Sequence, residues 1–189
     1  SALDLAAIRG HVDVIREIIQ REPSCVNSDV SPSTKFTALH YAAKHSQLGA
    51  IDALVEAGAD LEAQNGVQHG TALHAAVESP DCAATLLALL RHGAHVDSTR
   101  DGIVTPFSVA VKAANMVAAD VLLSAGADLR EPLLAASAEP CSVEKIIYLL
   151  ERGADVNTRR ASDGNTPLHV ATEARLESNV VALLKAGGD

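Results

Sequence analysis

The sequence predicts an all-α array of six repeated helix-turn-helix units, and three observations carry that reading. The chain is 48% hydrophobic yet only 2% aromatic, with no Trp, two Tyr and two Phe, so its core is assembled from small and aliphatic side chains. It holds 34 alanines, a composition that suits closely spaced helices better than a sandwich or a barrel. Most telling, one multi-position pattern recurs six times along the 189 residues, with start-to-start spacings of 36, 34, 34, 26 and 35. A fixed period of this size marks a repeat architecture.

Each copy opens on a helix start. The six are Ser1-Ala2-Leu3, Thr37-Ala38-Leu39, Thr71-Ala72-Leu73, Thr105-Pro106-Phe107, Glu131-Pro132-Leu133 and Thr166-Pro167-Leu168. Thr or Ser makes a good N-cap, and Pro at the next position suits the first helical turn. The apolar third position shares a helix face with an alanine three residues on (Ala6, Ala42, Ala76, Ala110, Ala136, Ala171), which lets a neighbouring helix approach closely. A short polar turn follows, such as Arg9-Gly10-His11 or Ser79-Pro80-Asp81. The second helix carries an aliphatic pair: Ile18-Ile19, Leu54-Val55, Leu89-Leu90, Leu122-Leu123, Leu149-Leu150 and Leu183-Leu184. In the last five copies a glycine (Gly58, Gly93, Gly126, Gly153, Gly187) supplies a left-handed C-cap. What remains, for example Ala154 to Asn165, is polar and turn-rich, as an extended hairpin excursion would be. The copies run approximately 1–36, 37–70, 71–104, 105–130, 131–165 and 166–189.

These residues resemble the ankyrin repeat, whose signature is T-P-L-H-x-A-A, a helix ending L-L-x-x-G-A-D-V-N, then D-x-x-G. The best matches are Thr166-Pro167-Leu168-His169-Val170-Ala171 and Leu149-Leu150-Glu151-Arg152-Gly153-Ala154-Asp155-Val156-Asn157. The resemblance spans essentially the whole chain. It implies an ankyrin-repeat solenoid with short β-hairpin loops, whose hairpins and first helices line a concave face that usually binds another protein. It also implies that His40, His74 and His169, at the fourth motif position, hydrogen-bond backbone groups within and between repeats.

Departures from the pattern are informative. At the fourth spacing Gly126-Ala127-Asp128-Leu129-Arg130 runs straight into Glu131-Pro132, so the hairpin is truncated between repeats four and five. Leu134 and Ser108 replace the motif histidine on either side, which predicts a weak joint there. Repeats three and five carry one extra residue in the helix-helix turn. The first copy lacks a preceding hairpin and the last helix has no polar capping repeat after it, so the chain reads as a segment of a longer array or multidomain protein.

Charge excludes some functions. A formal net charge of −9 argues against a nucleic-acid footprint and against adsorption to anionic membranes. No apolar run approaches a membrane span of roughly 18–20 residues. Three scattered cysteines, Cys25, Cys82 and Cys141, read as reduced thiols in a cytoplasmic or nuclear protein that is not secreted. As an isolated segment the chain is expected to be monomeric.

Catalytic and metal chemistry finds little support. Motif histidines a repeat apart, roughly 10 Å, are too distant to share a zinc at about 2.0–2.1 Å per bond. His92, His95 and Asp97 form the one compact trio, but they straddle the Gly93 helix end. Asp97-Ser98-Thr99-Arg100-Asp101-Gly102 imitates the opening of an EF-hand loop, yet its twelfth position is Ser108. No nucleophile elbow, phosphate loop or dinucleotide fingerprint is present. No metal, cofactor or catalytic residue is therefore expected. The alternative is an enzyme or a metal- or ligand-binding domain on an ankyrin-like frame. Two modification signals stand out. Arg159-Arg160-Ala161-Ser162 looks like a basophilic kinase site, placing Ser162 as phosphoacceptor. Asn157 is similar to hairpin asparagines that are hydroxylated in some ankyrin repeats.

The expected function is thus a non-catalytic protein-protein interaction module, its partner another protein. The family's variable contact positions fall one, three and four residues before the motif Thr, and seven and eight after it. On this chain they give Phe36, Lys44, His45, Val67, Gln68, Glu78, Ser79, Asp101, Val104, Lys112, Ser162, Asp163, Asn165 and Glu173. Phe36 suits an anchor, or else covers its own hairpin. Lys44 and His45 favour an acidic end of the partner toward repeat two. Glu78 and Asp101 favour basic groups toward repeats three and four.

Overall fold

Helix pairs follow one another along the whole chain. In a computed structural model that describes residues 1–28, 36–65, 70–100, 102 and 104–189, there are twelve α-helices and one short 3-10 turn at Pro23–Cys25 among the described residues. The first helices of the repeats are α1 (Ala2–Arg9), α3 (Ala38–Lys44), α5 (Ala72–Val77), α7 (Pro106–Lys112), α9 (Arg130–Ala138) and α11 (Pro167–Glu173). The second helices are α2 (Val12–Arg21), α4 (Leu48–Glu56), α6 (Cys82–Arg91), α8 (Met116–Ser124), α10 (Val143–Glu151) and α12 (Glu177–Lys185). The chain divides into two compact units, Ser1–Ala127 and Asp128–Asp189. That division falls at the truncated hairpin.

Within the first unit α1, α3, α5 and α7 pack in sequence as one layer, and α2, α4, α6 and α8 as the other. The second unit repeats the arrangement with α9 and α11 against α10 and α12. The motif alanines do what their size allows. Ala42, Ala76, Ala110 and Ala171 are wholly buried, and Ala6 and Ala136 nearly so. The first member of each aliphatic pair from repeat two onward (Leu54, Leu89, Leu122, Leu149, Leu183) is also wholly buried.

Helix ends follow the sequence logic. Thr105 Oγ1 accepts the Ser108 N–H at 3.2 Å, and Gly58, Gly93, Gly126, Gly153 and Gly187 all adopt positive φ. A second left-handed position sits in the helix-helix turn. There Gly10 (φ 69) is matched by Ser46, Ala114, Cys141 and Arg175 at φ 54 to 57, none of which adopts that region cheaply. Where they are described, the hairpin stretches are turns rather than strands. Among the described residues the pairing amounts to one isolated bridge, Arg100 with Val104, because each excursion is only a few residues long.

Candidate functional site

The motif histidines build the frame on which any contact surface rests. The Thr37 N–H donates to His40 Nδ1 at 3.3 Å, and His40 Nε2 lies 3.0 Å from the Gly70 carbonyl of the next repeat. His74 repeats the arrangement, taking the Thr71 N–H at 3.2 Å and reaching the Val104 carbonyl at 3.0 Å. A backbone N–H can only donate and a carbonyl only accept, so in both rings Nδ1 is the acceptor and Nε2 bears the hydrogen. Burial, seconded by the charges of Arg100 and His40, holds His74 below the usual histidine range, while its bond to Val104 pulls the other way. Neutral His74 is the form that fits. His169 Nδ1 similarly meets Thr166 Oγ1 at 2.7 Å.

A second set of links ties three of the hairpins to the helix end of the following repeat. Asn27 donates to the Gly58 carbonyl and accepts the Asp60 N–H, at 2.9 and 2.8 Å. Glu62 accepts the His95 N–H at 2.8 Å, and Asn157 Oδ1 accepts the Asp189 N–H at 3.0 Å. The side chain of Asn157, singled out in the sequence as a modification candidate, is thus half-buried and engaged in stacking.

The expected contact residues fall into two groups, one in each unit. In the first unit Phe36 is half-exposed and lies against His40 and Tyr41, with ring centroids 5.4 and 5.2 Å away. Lys44 and His45 are exposed at the end of α3, Glu78 at the end of α5 and Lys112 at the end of α7. Arg9 closes α1 in the same way. No carboxylate among the described residues pairs with Arg9, Lys44 or Lys112. Val104 is half-buried, and its carbonyl serves His74 and Arg100. Ser79 departs from expectation. It is buried at 7% exposure and donates its hydroxyl to the Ala76 carbonyl at 2.8 Å, because the extra residue in that turn folds it back onto the helix end. Val67, Gln68 and Asp101 lie outside the described residues.

In the second unit the structure brings Asp163, Asn165 and Glu173 together. Asn165 Nδ2 donates to Asp163 Oδ2 and Glu173 Oε1 at 3.3 and 3.2 Å, and Arg160 pairs with Asp163 at 3.0 Å. Ser162 is exposed at the tip of that turn. His92 Nε2 meets Asp52 at 2.7 Å, and no group of three His, Cys, Asp or Glu among the described residues is placed to hold an ion. No described helix is long and apolar enough to cross a membrane.

Sequence reasoning missed the residues that pin the helix-helix turns. Asn115 Nδ2 donates to the Val77 carbonyl at 2.9 Å while its Oδ1 accepts the Ala118 N–H at 3.1 Å. Asn179, 1% exposed, donates to the Glu139 carbonyl at 2.9 Å and to Ser142 Oγ at 3.1 Å. Ser142 in turn donates to the Ala136 carbonyl. Both asparagines sit at or near a helix start, which is the only signal the sequence offered.

Two stacked layers of short helices with solvent-facing first-helix ends define a helical-repeat interaction module. The known proteins it is similar to specify the class. The profile for ankyrin repeats in three copies matches residues 1–65, and that for a single ankyrin repeat matches 163–189. The nuclear factor NF-kappa-B p105 subunit of Mus musculus is 34% identical over 128 residues, 68% of this chain. The B-cell lymphoma 3 protein homolog of the same species is 34% identical over 174 residues, 85% of this chain. The chain spans only 13% of the first protein's length and 38% of the second's. The crystal structure of the ankyrin repeat domain of Bcl-3, described as a member of the IkappaB protein family, superposes with a TM-score of 0.77 at 26% identity. The match covers all of this chain and 87% of that one. The chain is an ankyrin repeat protein.

Proposed function

We propose that this chain is a non-catalytic module that holds another protein along its hairpins and the ends of its first helices. The observation that carries it is the distribution of charge. Arg16, Arg21, Arg130, Lys145 and Arg160 each have a carboxylate partner. The basic residues that end α1, α3 and α7 have none among the described residues. A cation at a helix C-terminus gains from the dipole, but that gain does not require leaving three in one layer of a chain of net charge −9. They offer an acidic segment of a partner a row of contacts at repeat spacing, with half-exposed Phe36, packed on His40 and Tyr41, in the same repeat as Lys44. Glu78, in the same layer, favours a basic group on that partner further along. The module works in the cytoplasm or nucleus and engages protein rather than nucleic acid.

Affinity capture with the full chain as bait, followed by binding kinetics of the captured partner, tests this. Lys44→Glu should slow association, since rim charges steer encounter, and Phe36→Ala should mainly speed dissociation. Unchanged binding by both variants would refute the assignment.

A further inference from the structure

The six second helices share one register, so the chain serves as its own control. Two residues before each aliphatic pair stand Arg16, Asp52, Leu87, Asp120, Ile147 and Val181. In three copies that slot is charged and the repeat forms all the same, with Arg16 paired to Glu56 at 3.7 Å and Asp52 to His92 at 2.7 Å. Stacking therefore does not require an apolar group there. Ile147 and Val181 are nonetheless 46% and 50% exposed on the neighbouring helices α10 and α12. Together with Val143, Leu150 and Ala182 they line a groove of about 650 Å³, and Leu184, 54% exposed, extends the apolar surface. The opposite sides of the same helices, Ile146, Leu149 and Leu183, are wholly buried. Exposed apolar side chains gathered in one groove, rather than scattered singly, are where a partner would gain by burying surface.

Charge selects the occupant. Glu177 lines the groove at the start of α12 and Glu151 at the end of α10. Glu144 is exposed at the start of α10. None of the three pairs with a cation among the described residues, and Lys185 is the one basic residue of the lining. The surrounding unit carries ten acidic against seven basic residues. Each helix has nine residues, a length of roughly 13 Å. We propose that this groove takes an amphipathic helix of a partner protein, apolar at i, i+3 or i+4, and i+7, with Lys or Arg on its flanks facing Glu151 and Glu177. The surface lies on the second-helix layer and is independent of the first-helix contacts proposed above.

The test uses the full chain and a labelled helical peptide of roughly 16 residues with a leucine stripe at those positions and lysine flanks. A second peptide carries glutamate in place of every lysine. Fluorescence anisotropy should show saturable binding of the lysine peptide and at least tenfold weaker binding of the glutamate one. Ile147→Asp and Val181→Asp place in the slot the residue that copies two and four already carry, so the melting temperature should hold while affinity falls tenfold or more. Lys44→Glu should leave this binding unchanged, which separates the outcome from that of the first-helix site. The proposal is overturned if the lysine peptide fails to bind, if the glutamate peptide binds equally well, or if both aspartate variants keep full affinity. It is equally overturned if sedimentation shows a dimer of the chain that Val181→Asp abolishes, because a second copy would then fill the groove.

Discussion

Replacing His74 by alanine removes hydrogen bonds of unequal worth, to the Thr71 N–H and hydroxyl on one side and the Val104 carbonyl on the other, and the difference can be worked out from the surroundings. Thr71 is 1% exposed, so deletion leaves its N–H without the His74 acceptor in a place water does not reach, costing about 1–3 kcal/mol. The Val104 carbonyl keeps the Arg100 N–H at 2.7 Å and loses only one of two donors, about 0.5–1.5 kcal/mol. His74→Ala should therefore destabilise the chain by about 2–4 kcal/mol near pH 7.5, measured by urea denaturation followed by circular dichroism. Acid provides the sharper check. The folded-state pKa of His74 lies below 6.5. Between that value and 6.5 the unfolded chain therefore binds more proton at this site than the folded one. Stability from this residue is complete above pH 6.5 and declines as pH falls through the window. Protonation also turns Nδ1 into a donor facing the Thr71 N–H. The gap between parent and His74→Ala should consequently narrow from pH 7.5 toward pH 5. A gap that stays constant or widens would refute both the tautomer and the role given to the ring.

Other positions give equally definite expectations. Ala114 sits at φ 54 where the first repeat has Gly10, so Ala114→Gly should stabilise by about 0.5–1 kcal/mol, the left-handed cost of about 1–2 less glycine's entropic penalty; an unchanged or lowered melting temperature would contradict this. Asn179→Ala takes a donor from the part-buried Glu139 carbonyl, which keeps the Ser142 hydroxyl within 2.8 Å, and from buried Ser142 Oγ; it should cost about 1–3 kcal/mol in the same denaturation assay. Ser162 is exposed with Arg159 and Arg160 before it. A basophilic kinase with ATP should modify it, adding nearly two negative charges beside Asp163 and weakening capture of an acidic partner. Mass spectrometry that finds no phosphate on Ser162 would dismiss that site.

Most of the fold was legible because its determinants are local and repeated. The Thr at each helix start, the alanine three residues beyond the apolar third position, the aliphatic pair and the left-handed glycine lie within one repeat, and six copies reinforce one another. The role of His40 and His74 came from resemblance to the family; only the structure shows that their acceptors, Gly70 and Val104, lie 30 residues downstream. Asn115 and Asn179 were illegible for the complementary reason. They occupy no common register, and their partners lie 38 and 40 residues upstream. Ser79 was misplaced because counting positions from Thr71 takes no account of the extra residue in its turn. The exposed apolar slot of α10 and α12 passed unremarked, since an aliphatic residue in an amphipathic helix reads as core until its side is known.

The central claim is that a partner protein is held along the ends of the first helices. Hydrogen exchange of the chain, free and bound to its captured partner, tests it most directly. The account expects partner-induced protection at Phe36–His45 and around Glu78 and Lys112, with the second helices α2, α4, α6 and α8 unchanged. Protection confined to the second helices, with the first-helix ends exchanging as in the free chain, would contradict it.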